Sequence, residues 1–244
     1  MKKTIKNICI GIVYKIERFF VWLVVFSYDR FGLLAAYQPN PFRRDHEETG
    51  LRPSASRYEA MTKVLPKDLP LTVVDIGCQR GYFVFRFAER GGFCMGLEQN
   101  QMDVRYANAL ATKEGVDNAS FTCFGVDSEN VDALPDFDLV VCMSVFHHFA
   151  RKLGEEEAKG LMRRIADHAK RYIVFETGEP EETSVSWASA LNFMKPDTDT
   201  WVVEYLKEIG FDTVHRVGRF PSAVSGHPRH LYVGERTSAQ DPSV

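Results

Sequence analysis

Cysteine is scarce in this chain: five in 244 residues, none in a Cys-x-x-Cys pair or in Cys/His spacing that suits a metal. An odd count without paired spacing builds no disulfide framework, so no structural metal is expected and a reducing, cytoplasmic setting is the natural reading. Positive charge is not in excess either. The formal net charge is −3, whereas a nucleic-acid footprint usually appears as a strong basic surplus. Nucleic acid is therefore disfavoured as a partner. The chain also lacks the unbroken run of about 20 apolar residues that a membrane span requires. Lys15, Glu17 and Arg18 interrupt the apolar N-terminus. A secretory signal is disfavoured on similar grounds, because Asp29 and Arg30 precede Leu33-Leu34-Ala35-Ala36, a segment that imitates a cleavage site.

Two nucleotide signatures are incomplete. The segment Val73-Val74-Asp75-Ile76-Gly77-Cys78-Gln79-Arg80-Gly81 has Gln79 where the dinucleotide fingerprint carries its middle glycine, the one that lets backbone reach a pyrophosphate. A P-loop would need Lys-Ser or Lys-Thr after its last glycine, and Tyr82-Phe83 stands there. What is present is a buried strand, a glycine-bearing turn, a helix, and a second strand ending in Met95-Gly96-Leu97-Glu98-Gln99. An acid about 20 residues after such a turn is how a doubly wound sheet holds a ribose, with one carboxylate accepting both hydroxyls. A nucleoside cofactor without phosphates fits this pattern best. Each residue also has a plainer reading: Gly81 suits close helix–strand packing, and Glu98 is an ordinary solvated strand end.

The 45% hydrophobic content can bury one substantial core. Strands are expected at 72–76, 93–98, 119–124, 137–143, 171–176, 211–218 and 229–235. Helices are expected at about 81–90, 102–114, 155–169 and 200–209, with another beginning near Arg57 behind Ser54 or Ser56. Alternating strands and helices argue for an α/β fold with a parallel sheet covered on both faces, here over residues 57–236. Residues 1–37 read as an amphipathic helical segment, since Ile5, Ile8, Ile12, Ile16, Phe19, Phe20 and Leu23 recur at helical spacing beside Lys2, Lys3, Lys6, Lys15 and Arg18. Such a helix suits peripheral membrane contact through residues 1–30, or packing on the domain or on a second subunit. Residues 38–56, with Arg43 and Arg44, read as an exposed connection, and the polar tail 237–244 as disordered.

Open sheets of this type bind ligands beyond the carboxyl ends of their strands. That edge carries Gly77–Gly81, Glu98, Asp127, Ser144–Phe149 and Glu176–Gly178. Asp127 is also a common turn former, and the strand cysteines behave as small apolar residues. The long segment Thr177–Thr200, with Trp187, Phe193 and Met194, is placed to form a substrate wall or lid, or a plain surface excursion.

Further segments carry a family likeness: Phe121-Thr122-Cys123-Phe124-Gly125-Val126-Asp127, Phe137-Asp138-Leu139-Val140-Val141-Cys142-Met143-Ser144, Lys207-Glu208-Ile209-Gly210-Phe211 and His230-Leu231-Tyr232-Val233-Gly234. In this order, with the glycine turn and Glu98, they resemble the class I S-adenosylmethionine-dependent methyltransferases over roughly residues 55–235. The resemblance implies a Rossmann-like, seven-stranded, mostly parallel sheet closed by an antiparallel hairpin, with N-terminal helices. It implies S-adenosyl-L-methionine as cofactor, held by Asp75, Gly77, Cys78, Gln79 and Gly81 at the first turn. Glu98 and Gln99 would follow at the second strand, Val126 and Asp127 at the third, and Met143 and Ser144 at the fourth. Arg57 is a further candidate, toward the cofactor carboxylate or a phosphate.

Methyl transfer is an in-line displacement in which alignment dominates. An oxygen nucleophile also needs its proton removed. His148 and His147 suit that task at neutral pH, and Glu176 is a second candidate. The Asn-Pro-Pro-Tyr motif of family members that methylate planar nitrogens is replaced by Met143-Ser144-Val145-Phe146, which argues against those substrates. Ser54-Ala55-Ser56-Arg57-Tyr58-Glu59-Ala60, Tyr82-Phe83, Ser144-Val145-Phe146-His147-His148 and Phe175-Glu176 look like bacterial methyltransferases acting on surface polysaccharides or their precursors. That likeness implies a glycan, lipid-linked or other small-molecule acceptor with a hydroxyl or phosphate oxygen. An RNA methyltransferase, a nicotinamide oxidoreductase and a catalytically inactive membrane-associated scaffold are the alternatives.

Overall fold

The computed structural model describes residues 15–16, 19–23, 25–27, 37–42, 53–67 and 71–237. These include one seven-stranded sheet in the order β3-β2-β1-β4-β5-β7-β6. Strands β1 (Val73–Ile76), β2 (Cys94–Glu98), β3 (Ala119–Cys123), β4 (Phe137–Met143) and β5 (Ala169–Glu176) are parallel. β7 (Pro228–Glu235) runs antiparallel to β5 and to the edge strand β6 (Thr213–Pro221). β1 and β4 are buried almost throughout, which is why they read as near-continuous apolar runs.

Alternation along β4 divides the core. Leu139 and Val141 face α1 (Ser54–Thr62), α2 (Tyr82–Ala88) and α3 (Gln101–Glu114), packing with Met61, Phe83 and Leu110. Val140 and Cys142 face α4 (Phe146–Leu153), α5 (Glu155–Asp167) and α6 (Thr198–Glu208), packing with Ala150, Met162 and Leu206. Each fully buried Leu, Ile or Phe contributes about 1.5–3 kcal/mol. Asp138 pins the start of β1 to β4, accepting from the Thr72 backbone N–H at 2.8 Å and its hydroxyl at 2.7 Å. Asn100 caps α3 by accepting from the Met102 N–H, and Asp197 caps α6 by accepting from Asp199 and Thr200.

Three features depart from the sequence expectation. Val145–Phe149, placed at the ligand edge beyond the fourth strand with no helix expected there, opens helix α4, because Ser144 turns out of the strand with φ +61°. The segment Ala188–Met194 forms a 3-10 helix, whose period is not the helical repeat sought in the sequence. Residues 38–41 are buried rather than exposed. Gln38 accepts from the Tyr82 N–H and Asn40 donates to the Tyr106 hydroxyl, so this polar stretch satisfies buried groups at the start of α2 and on α3.

At the N-terminus, residues 19–23 and 25–27 are helical. Val25 is buried and joins the core beside α1–α3, while Phe19, Phe20, Trp22, Leu23 and Phe26 are exposed. Among the described residues no helix is long and apolar enough to cross a membrane. Residues 1–14, Arg43, Arg44 and the tail 238–244 lie outside the described residues.

Gly81 begins α2 with φ +83°, and a Cβ there would lie 2.2 Å from Cε1 of Phe121. Gly81→Ala is expected to cost at least about 1–3 kcal/mol from the backbone conformation alone. Urea unfolding measures it, and an unchanged midpoint would show that neither the conformation nor Phe121 constrains this turn.

Candidate active site

Beyond β1 the chain makes a turn of left-handed residues, Gly77 (φ +74°), Gln79 (φ +50°) and Gly81. A Cβ on Gly77 would sit 2.5 Å from Val145 Cγ2, so only glycine lets the start of α4 approach the turn this closely. The turn is tied directly to the acid of β2. The Gln79 N–H donates to Glu98 Oε2 at 3.0 Å, and the Asn100 N–H donates to Oε1 at 2.8 Å. Each Glu98 oxygen thus accepts one backbone N–H and keeps a second lone pair for a diol. The Gln79 side-chain oxygen is buried and has no hydrogen-bond partner among the described residues. A buried acceptor left this way costs about 1–3 kcal/mol unless a ligand supplies the donor.

These groups open onto a cavity of about 480 Å³ at the carboxyl edge of the sheet. The β1–β3 side presents Gly77, Gln79, Glu98, Gln99, Val126 and Asp127; the β4–β7 side presents Met143, Ser144, His147, His148, Trp187 and Arg229. Asp127 is exposed, and its Oδ1 accepts from the Glu129 and Asn130 N–H groups at 2.9 and 3.2 Å. It therefore forms the turn after β3 while lining the cavity.

The two histidines differ. His147 is buried, and its Nδ1 accepts from the Gly178 N–H at 3.1 Å, which puts the ring proton of the neutral form on Nε2. Its ring packs between His148 and Trp187, each 4.3 Å away between centroids. His148 is exposed on the cavity wall. Partial burial, then the Arg229 and Arg151 cations, hold its pKa below the ordinary histidine value, so the neutral, proton-accepting ring persists to lower pH.

Other sequence-derived candidates stand behind the wall. Arg57 and Glu176 are fully buried and paired, Nε to Oε2 at 2.6 Å. Arg57 Nη1 donates to the Pro53 carbonyl and Nη2 to those of Phe220 and Pro221, while Glu176 Oε1 accepts from the Ser144 hydroxyl at 3.0 Å. Neither side chain lines the cavity; the pair braces its wall from behind Ser144. Asp75 is buried within β1. Cys78 packs beneath Gly96, where burial pushes its thiol pKa well up, and Gly81 packs against Phe121. Tyr37, Gln38, Val224 and Arg229 line the cavity without having been anticipated. No local pattern marks them: Arg229 lies near the start of an ordinary strand, and Gln38 reads as loop.

Residues 68–182 match the family model of a methyltransferase domain. This span holds the glycine turn, Glu98, Asp127, Ser144 and both histidines. Residues 68–182 thus carry a methyltransferase domain. The O-antigen chain terminator bifunctional methyltransferase/kinase WbdD of Escherichia coli is 30% identical over 179 residues, 72% of this chain but 23% of that protein. The chain thus spans about a quarter of the length of this curated relative. A crystal structure of WbdD superposes with a TM-score of 0.66 at 25% identity, covering 84% of this chain and 45% of that one. The magnesium protoporphyrin IX methyltransferase ChlM of Synechocystis PCC 6803, solved with bound SAH, shares the fold of the methyltransferase domain at 17% identity and a TM-score of 0.57, covering 89% and 99% of the two chains. A tRNA U34 carboxymethyltransferase of Desulfotalea psychrophila is 29% identical over 97 residues, 39% of this chain and 30% of that one.

Glu176→Gln would take from buried Arg57 the carboxylate that meets it at 2.6 Å. The expected loss is about 3–5 kcal/mol of unfolding free energy. Chemical denaturation reads it, and a loss below the scale of a surface ion pair would contradict the bracing role.

Proposed function

We propose that this chain is an S-adenosylmethionine-dependent methyltransferase acting on a hydroxyl or phosphate oxygen of a glycan, lipid-linked or other small-molecule acceptor. The observation that carries the reading is Glu98, fixed by two backbone N–H groups against the glycine turn, in the cavity of a methyltransferase domain. In this reading Glu98 accepts from the ribose hydroxyls, Gln99, Val126 and Asp127 surround the adenine, and Gly77, Gln79, Met143 and Ser144 hold the amino-acid end. The Gln79 side-chain oxygen, buried without a donor, suits a site completed by its ligand. Bound S-adenosylmethionine supplies the electrophilic methyl group.

The chain's own residues do the rest. Trp187 and the His147 ring exclude water beside the reacting centre and shape the acceptor side. His148, with its lowered pKa, takes the proton of an acceptor hydroxyl on an imidazole nitrogen. A phosphate oxygen needs no such base, and for it Lys152 on the cavity wall offers positive charge. The likeness to WbdD, an O-antigen methyltransferase/kinase, supports a glycan-related acceptor. Partial likeness to a tRNA-modifying enzyme favours RNA as the second reading. We place the enzyme in the cytoplasm at the inner face of the membrane, because exposed aromatic side chains at residues 19–26 follow, in the sequence, five basic residues between Lys2 and Arg18.

Incubation with methyl-labelled S-adenosylmethionine and a source-cell extract tests the acceptor. Label is expected in the glycan or lipid fraction; label in RNA would replace the leading reading with the second. Glu98→Ala is expected to weaken cofactor binding by roughly 1–3 kcal/mol, and unchanged calorimetric affinity would remove Glu98 from the site. His148→Ala should slow transfer to a hydroxyl far more than transfer to a phosphate. The protein is further expected to float with anionic liposomes and to lose flotation when residues 1–30 are deleted; equal behaviour of both forms would refute the membrane contact.

A further inference from the structure

At the β4–β7 side of the cavity, buried charges alternate in an unbroken chain. Arg229 is 2% exposed and grips both oxygens of Glu182, Nε to Oε1 at 2.7 Å and Nη2 to Oε2 at 3.0 Å. Its Nη1 donates to the Ser144 hydroxyl oxygen at 3.1 Å. That hydroxyl donates in turn to Glu176 Oε1, and Glu176 Oε2 accepts from Arg57. The Ser144 N–H is held as well, donating to the Glu176 carbonyl at 2.7 Å. A non-glycine residue at φ +61° costs about 1–3 kcal/mol and persists only where its surroundings over-determine it. Ser144 has such surroundings, and α4 with both histidines begins two residues later.

We infer that the Glu182–Arg229 pair is a positioning device: it locks the Ser144 turn, and through it His148, against the acceptor wall formed by Trp187 and Val224. The same pair gathers that wall. The Arg229 guanidinium lies over the Trp187 ring at 5.0 Å, and the Ser225 hydroxyl donates to Glu182 Oε2, so the loop carrying Val224 hangs on the same carboxylate. A lysine could supply the charge but not the planar fork that meets Glu182 twice and Ser144 once. Besides partial burial, three groups bear on His148: Arg229 from β7, Arg151 from α4 itself, and the His147 ring tilted against it. Removing the Arg229 charge should therefore raise the His148 titration midpoint.

This inference rests on the methyltransferase reading above, and the experiment separates the two. Arg229→Lys, Arg229→Met and Glu182→Gln are compared with the natural chain by thermal unfolding, calorimetric S-adenosylmethionine affinity, NMR titration of His148, and transfer of labelled methyl to the glycan and lipid fraction. Arg229→Lys is expected to keep the His148 midpoint and most of the cofactor affinity while turnover falls roughly 10–100-fold. Arg229→Met should in addition move the midpoint upward. Folded Arg229→Lys with undiminished turnover, or Arg229→Met with an unmoved midpoint, would overturn the proposal. If Arg229→Met does not fold, Arg229→Lys and Glu182→Gln decide it: reduced turnover in both supports the device, and full turnover in either ends it. A natural chain that binds no cofactor sinks the methyltransferase reading alone, since the His148 titration still decides whether Arg229 governs that ring.

Discussion

A buried charge needs its partner, and from that constraint much of the architecture around the cavity follows. Arg57 on α1, Glu176 at the end of β5, Ser144 after β4, Arg229 on β7 and Glu182 in the loop after β5 form one hydrogen-bonded series. Isolated charges at such depth would cost several kcal/mol each. Paired in series, they tie α1 and the loop after β5 to strand ends that the sheet already holds side by side. α1 lies beside the β6–β7 hairpin, and Arg57 ties it there by reaching the Phe220 and Pro221 carbonyls at the end of β6 as well as Glu176. The same series allows Ser144 to hold a backbone conformation that most side chains avoid.

The cavity divides by the chemistry of its two sides. On the β1–β3 side, backbone geometry is decisive: the left-handed turn brings the Gln79 N–H to Glu98, and the buried Gln79 side-chain oxygen is left as an acceptor there. On the β4–β7 side, side chains are decisive: His147 is immobilised by the Gly178 N–H and Trp187, whereas His148 faces the cavity with its pKa held down. Adjacent residues of one type thus serve different ends, because a helix turns neighbouring side chains about 100° apart.

What the sequence does not supply about the site is its partners. Glu176 looks like a base because it ends a strand at the ligand edge, and Arg57 looks like an anion ligand because it is a cation near that edge. Each is consumed by the other across 119 positions of chain. Gln38 and Asn40 look solvated because they are polar and flank prolines, but each closes a hydrogen bond to a helix far along the chain. Arg229 carried no local mark, since its importance lies wholly in Glu182, Ser144 and Trp187.

The α/β alternation, the seven strands, the glycine turn and the acid at the end of β2 were all legible from the chain alone. Strand and helix periods, turn residues and the spacing of Glu98 from Gly77 express local backbone preferences, which neighbours in sequence are enough to dictate. Only folding decided that Ser144 leaves β4 in a left-handed conformation, that His147 is pinned while His148 is not, and that Arg229 shares the cavity with them. Those outcomes depend on hydrogen bonds and counter-charges between segments distant in sequence, and such contacts exist only once the sheet has brought its strand ends together.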